Sequence, residues 1–190
     1  MEDNLAYREE FWQEELIGGK WVAMSPASTF HNFISMNIAR IFGNYLHGKT
    51  CVPFPDGETV FLTEEDRFVP DFMVVCDPNK IQADGVHGAP DLVVEILSPS
   101  SVRRDRQHKM NVYETCGVRE YWIVSQTEKT VEQYLLEGNR LRLHDVYTVY
   151  PEWVKKTMRA EELAAIRTEF KCSLYDDLII RLEDVFYRVI

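Results

Sequence analysis

The run "PDLVVEILSPS", Pro90 to Ser100, sets the carboxylate of Glu95 in the middle of an otherwise apolar stretch. Six such residues closed by Ser-Pro-Ser read as a buried strand. An unpaired carboxylate in that setting costs several kcal/mol or more, so Glu95 demands a buried Lys or Arg, or a cation. Alternate side chains of a strand share a face. Asp91, Val93, Glu95 and Leu97 therefore face one way, and Leu92, Val94 and Ile96 the other.

The same oddity recurs upstream in "RFVPDFMVV", where Asp71 follows Pro70 and precedes four apolar residues. Two neighbouring strands that each present one acid would converge two carboxylates on one point. A magnesium-type ion is the simplest chemical reason for that convergence, because Mg²⁺ is held by one or two carboxylates plus water and phosphate oxygens. Phosphodiester attack also needs a cationic side chain near the phosphoryl oxygens. Lys109 supplies one on the helix after the Glu95 strand, with Asp105 four residues before it and Tyr113 four after, on one face. Each residue also has a plainer reading. Asp71 and Asp91 fit strand-end turns bonded to backbone N–H groups, and the turn reading carries more weight for Asp91. Lys109 could pair with Asp105 on a solvated face, and Tyr113 and Trp122 read as core.

Around these strands the chain reads as one domain over residues 1–190. A hairpin is expected from Phe11–Ile17, Gly18–Gly19 and Lys20–Met24. A helix follows, with Phe30, Phe33, Ile34, Ile38, Ile41, Phe42, Tyr45 and Leu46 on one apolar face and a stop at Gly48. Strands are expected at Cys51–Phe54, Glu58–Leu62, Phe68–Val75 and Leu92–Leu97, with "CDPNKIQADGVHGAP" as a loop between the last two. Ser100 or Ser101 opens a helix to about Thr115, with Gly117 just past its end. A meander follows at Glu120–Val124, Thr130–Leu136 and Leu141–Val146. Glu152–Ile166 reads as helix, and Leu178–Ile180 as a strand before a final helical turn. The sum is an α/β (or α+β) class with a mixed sheet flanked by helices.

Twenty-one Lys and Arg against thirty-one Asp and Glu give a net charge of −10, which argues against non-specific coating of nucleic acid. "SVRRDRQHK" (Ser101 to Lys109) is the one dense basic patch. Cys51, Cys76, Cys116 and Cys172 are scattered without a C-x-x-C pair, so neither a zinc site nor a disulfide is expected. With no membrane-length apolar run and no signal-peptide layout at the acidic N-terminus, a cytoplasmic location is expected.

"VPDFMVV", "GAPDLVVEILSPSS", "DRQHKMNVYETCGVREYWIV" and "LEDVF" together resemble the bacterial "putative restriction endonuclease" family called Uma-two, of the PD-(D/E)XK nuclease superfamily. The resemblance runs from Glu14 to Phe186, is most specific over Val69 to Val124, and is not legible from Pro151 to Ser173. It implies a restriction endonuclease-like fold, with a mixed sheet flanked by helices, and a Mg²⁺- or Mn²⁺-dependent DNA endonuclease. Pro70–Asp71 matches the first half of the superfamily motif and Glu95 the acid of the second. Leu97 stands where the superfamily places lysine; within the family a lysine on the following helix takes that role, and Lys109 matches it. The implied roles are metal binding by Asp71 and Glu95, orientation of water or stabilisation of charge by Lys109, and completion of the site by Glu15, which matches an early family glutamate and has Glu14 beside it. Gln107 and Tyr113 could support the site. Arg103, Arg104 and Arg106 could attract a polyanion, and a homodimer could line a groove with two such clusters. Two alternatives stand beside the nuclease: a catalytically inactive binding or interaction protein on the same scaffold, and a hydrolase of a small phosphoester.

Overall fold

The computed structural model describes residues 13–99 and 101–189. Strands β1 (Glu14–Ile17) and β2 (Lys20–Ala23) pair antiparallel, with Glu15 opposite Val22. Gly18 and Gly19 make the turn at φ 54° and 75°, a left-handed conformation that favours glycine and matches the twist of a two-residue hairpin. Of the strand expected to start at Phe11, Phe11 and Trp12 lie outside the described residues. Helix α1 (Thr29–Leu46) begins where Ser28 Oγ accepts the His31 N–H, and it buries Ile34, Ile38, Phe42 and Leu46 along one stripe.

Seven short strands follow: β3 (Val52–Pro55), β4 (Val60–Phe61), β5 (Arg67–Phe68), β6 (Phe72–Val75), β7 (Ile81–Gln82), β8 (Gly85–His87) and β9 (Leu92–Leu97). A helix then holds a π-helical stretch, Arg104–Lys109, which runs on as α2 (Met110–Cys116) and ends at Gly117 in the left-handed region. Strands β10 (Glu120–Ser125), β11 (Thr130–Glu137) and β12 (Arg140–Thr148) form the expected meander. The rest is α3 (Glu152–Lys155), α4 (Ala160–Ala164), β13 (Glu169–Lys171), β14 (Ile179–Arg181) and α5 (Leu182–Val185). The main sheet has the order β12-β11-β10-β9-β6-β3 and is mixed, because β9 and β10 run parallel while the other neighbours are antiparallel. The smaller sheet has the order β2-β1-β5-β4-β8-β7.

The main sheet is apolar on both faces, so it needs cover on both. α1 covers one: its stripe packs with Phe72, Val74, Leu92, Val94, Ile96 and Trp122. The other face places Met73, Val75, Val93, Tyr121 and Ile123 against Phe68 and against Tyr113 of α2. The alternation expected for "DLVVEIL" is thus a division between two cores. Trp122 is core as read, with its ring centroid 5.8 Å from that of Phe42.

Several expectations are corrected. The strand expected over Phe68–Val75 is broken into β5 and β6, because Pro70 has no N–H to donate and the Val69 N–H goes to Glu15 Oε1 at 2.9 Å instead of a neighbouring strand. The loop expected between Cys76 and Pro90 contains a 3₁₀ turn at Pro78–Lys80, capped by Asp77, and the small β7–β8 pair. The helix expected over Glu152–Ile166 is two short helices. The reading of four reduced cysteines is overturned at one pair: Cys51 and Cys76 form a disulfide. They stand one residue beyond Val52 and Val75, which are opposed in the β3–β6 register, and their separation of 25 residues gives no pattern in sequence. Among the described residues no helix is long and apolar enough to cross a membrane.

One buried carboxylate has a purely architectural setting. Glu120, on the α1 side of β10, accepts from Trp122 Nε1 at 2.6 Å, Gln133 Nε2 at 2.6 Å, Ser173 N at 2.8 Å and Ser173 Oγ at 2.5 Å. It thereby ties the C-terminal strands to the sheet. Glu120→Ala leaves these donors without an acceptor and should cost about 3 kcal/mol in a urea melt, since a single orphaned buried group costs roughly 1–3 kcal/mol. Glu120→Gln, which keeps one acceptor oxygen, should cost less; equal losses would show that hydrogen bonding is not what Glu120 provides.

Candidate active site

Register places the acids. In the β6–β9 pair Phe72 opposes Val94, and one step further along this antiparallel ladder sets Asp71 across from Glu95. Asp71 continues the ladder with its side chain: Oδ2 accepts the Ile96 N–H at 2.6 Å, while its backbone carbonyl accepts from Ser35 Oγ of α1. Oδ1 is left toward α1, with His31 Nε2 3.0 Å away. Glu95 points to the α2 side, where Oε1 accepts from Lys109 Nζ at 3.0 Å and from Tyr113 Oη at 2.7 Å.

Lys109 and Tyr113 reach Glu95 because their helix packs over that face of the sheet. The π-helical winding of residues 104–109 was not foreseen. It goes with a hydrogen bond from Tyr121 Oη to the Asp105 backbone carbonyl at 3.2 Å, and such wide turns concentrate at functional sites. Asp105, Lys109 and Tyr113 are all buried, so the solvated Lys109–Asp105 pair is corrected: Lys109 is only 4% exposed, and Asp105 Oδ1 stands 3.8 Å from Nζ. Gln107, expected nearby, instead turns to solvent and accepts from Arg103. Tyr113 is core as read and also bonded to Glu95.

Glu15 arrives from β1. Oε1 accepts the Val69 N–H and lies 2.8 Å from Lys109 Nζ. The hairpin is pinned for this contact: Gly18 N–H donates to Asp66 Oδ1 at 3.0 Å, and His108, next to Lys109, contacts the same oxygen at 2.7 Å. Glu14 is exposed, so Glu15 is the buried member of the pair. Asp91 is the strand-end residue expected, accepting the Cys76 N–H and pairing with Arg119.

A cavity of about 610 Å³ opens over these groups, lined among others by Glu15, Asp71, Glu95, Asp105 and Lys109. Of the basic patch, Arg104 lines it. Arg106 is instead held in a bidentate pair with Glu132 at 2.5 and 2.6 Å. Two lining residues were not singled out in the sequence: His31 and Asp56. His31 looked like one more position in an amphipathic helix, and Asp56 like the middle of a Pro-Asp-Gly turn. Among the described residues, the acidic and histidine donor atoms that gather closely enough to share a metal ion are those of His31, Asp56 and Asp71, all within 4.8 Å of one another.

A family model described as "Putative restriction endonuclease", that of Uma-two, matches residues 1–163. The chain belongs to this family. Two Synechocystis sp. proteins carrying the name "uncharacterized" are similar to this Uma-two protein. One, slr1290, is 30% identical over 131 residues, which are 65% of this chain and 69% of that protein. The other, sll1609, is 27% identical over 132 residues, which are 67% and 75% of the two chains. A crystal structure described as a putative nuclease belonging to DUF820, from Anabaena variabilis, shares the fold with a TM-score of 0.66 at 17% identity, over 93% of this chain and 91% of that one.

The charge balance of the Uma-two site is lopsided. Glu15, Glu95 and Asp105 are buried carboxylates around one buried ammonium, Lys109, and Asp71 is a fourth buried carboxylate on the same cavity. Burial alone would lower the Lys109 pKa, but Glu95, Glu15 and Asp105 together hold it above the ordinary lysine value. Burial pushes Glu95 well up; Lys109 opposes this, and Asp105, Asp71 and Glu15 add to it. Asp105 is raised by burial as well. Because the folded state holds the Glu95 proton more tightly than the unfolded state, this group stabilises most below the ordinary glutamate pKa of about 4.3. That contribution is lost as pH rises through the folded value. Glu95→Gln removes the loss while leaving Lys109 its contacts with Glu15 and Asp105. Thermal melts should therefore show the variant gaining on the wild type as pH rises above about 4; a gap independent of pH would reject this account.

Proposed function

We propose that the chain is a divalent-metal-dependent nuclease that hydrolyses phosphodiester bonds in DNA. The observation that carries this reading is the convergence of three buried carboxylates on one ammonium, with a fourth, Asp71, lining the same open cavity, in a chain of the Uma-two family. Hard cations take carboxylate oxygens, and a carboxylate excess of this kind is costly without a compensating positive charge. The residues fit such an ion: Asp105 Oδ1 and His31 Nε2, both at the cavity, are buried without a hydrogen-bond partner.

In this reading Asp71 is the principal carboxylate for the ion, and Glu95 and Glu15, whose Oε1 atoms are taken by Lys109, would join it through their second oxygens. When bound, Mg²⁺ or Mn²⁺ polarises a phosphoryl oxygen and makes a coordinated water more acidic. The chain's own groups do the rest. Lys109, kept protonated by its acidic neighbours, can donate to a phosphoryl oxygen or orient the attacking water. Arg104, on the cavity wall with a buried unpartnered Nε, is placed to receive a phosphate oxygen. Tyr113 is a positioning residue that fixes Glu95 through its hydroxyl.

The test is cleavage of single-stranded, double-stranded and branched DNA in Mg²⁺ or Mn²⁺. Asp71→Asn and Glu95→Gln should each lower the rate by about 100-fold or more, on the scale of losing one electrostatic contact in a catalytic site, with the fold retained. Cleavage unchanged in both variants would sink the proposal. A second reading, hydrolysis of a small phosphoester, draws on the −10 charge and on the diversion of Arg106 to Glu132. It predicts turnover of bis(p-nitrophenyl) phosphate that excess DNA does not inhibit.

A further inference from the structure

We infer that His31, Asp56 and Asp71 form a cation site with an imidazole ligand, selective for a divalent transition ion such as Mn²⁺ over Mg²⁺. The three donors come from separate parts of the chain: the first turn of α1, the turn after β3, and the residue before β6. Their ligand atoms nevertheless lie within 4.8 Å of one another. Three such groups do not gather through local sequence, because 25 residues separate His31 from Asp56 and 15 separate Asp56 from Asp71.

A second, independent observation points to a ligand. His31 is 8% exposed, yet its buried Nε2 has no hydrogen-bond partner; Asp71 Oδ1 stands 3.0 Å away but out of alignment for one. A buried polar atom left unmatched costs about 1–3 kcal/mol, and both His31 and Asp71 line the cavity. The neighbouring acids differ in this respect. Glu95 is engaged by Lys109 and Tyr113, and Glu15 by Lys109 and Val69. Asp71 spends one oxygen on the Ile96 N–H, so its other oxygen is the one presented to His31.

The donor set decides the class of ion. Mg²⁺ favours oxygen ligands and retains water, whereas imidazole moves preference toward transition ions. Asp56 is exposed, so the site is open on one side for water or a phosphate oxygen. Asp71 is common to this set and to the carboxylates assigned above, so the two sets adjoin through one side chain. The inference sharpens the metal reading of that cavity, and its use in hydrolysis rests on the proposed function.

Mn²⁺ alone, without DNA, is titrated into the full chain and followed by electron paramagnetic resonance, with pulsed detection of coupling to imidazole ¹⁴N. Wild type should bind Mn²⁺ with nitrogen coupling, and Mg²⁺ should compete about tenfold more weakly or worse, as the ligand preferences imply. His31→Gln should abolish the coupling and Asp56→Asn should weaken binding about tenfold or more, the scale on which metal-site substitutions act. Because Asp56 is exposed, the second variant tests the site without disturbing the core. Glu95→Gln should keep the nitrogen coupling. No Mn²⁺ binding, binding without nitrogen coupling, or equal affinity for Mg²⁺ would each overturn the inference. Nitrogen-coupled Mn²⁺ in a protein that cleaves no phosphodiester would retain this site and remove the proposed function; cleavage without nitrogen coupling would do the reverse.

Discussion

One ammonium holds the centre of this protein. Lys109 Nζ meets Glu15 from β1, Glu95 from β9 and, at longer range, Asp105 from its own helix. The smaller sheet, the main sheet and the covering helix are therefore joined at a charge rather than at an apolar contact. Taking these ions out of water is expensive, and their mutual attraction with added hydrogen bonds offsets only part of that cost. The cluster is tolerable because Tyr113, the Val69 N–H and the Ile96 N–H supply further donors. Two apolar cores, one on each face of the main sheet, anchor what surrounds the cluster.

The main sheet carries a second buried carboxylate on its opposite face, and the contrast separates architecture from chemistry. Glu120 is surrounded by neutral donors at short distance, and those donors reach Ser173 beyond the region that the family model matches. It is a saturated acceptor. The acids on the Lys109 side are crowded, and Asp105 Oδ1 is left unmatched. On the proposed reading, such an open valence is where an ion or a phosphate would enter, whereas Glu120 has none to offer.

Much of this was legible in the sequence wherever period-2 alternation applies. "DLVVEIL" told which residues face together because strand parity is local, whereas Phe68–Val75 was read as one strand although Pro70 cannot donate and breaks it. The dependence of Glu95 on a lysine followed from the cost of burying a charge. What escaped depends on register or on distant pairing. Cys51 and Cys76 meet only because β3 and β6 align as they do, and Arg106 finds Glu132 only across the folded sheet. His31 hid within a regular apolar stripe and Asp56 within an ordinary turn, since nothing local distinguishes a histidine beside a distant aspartate from one facing water.

The wide winding of residues 104–109 bears on how this scaffold tolerates change in chain length. A regular helix advances about 100° per residue. Six residues of the wide winding, at about 82° each, turn through nearly the same angle as five in ordinary pitch, so excising one there and letting the segment recoil would leave everything downstream on its present face. The wide winding thus absorbs one residue of length without turning the ammonium away from the sheet. Sister chains one residue shorter here, wound as a regular helix, should keep their cation on the same face of that helix.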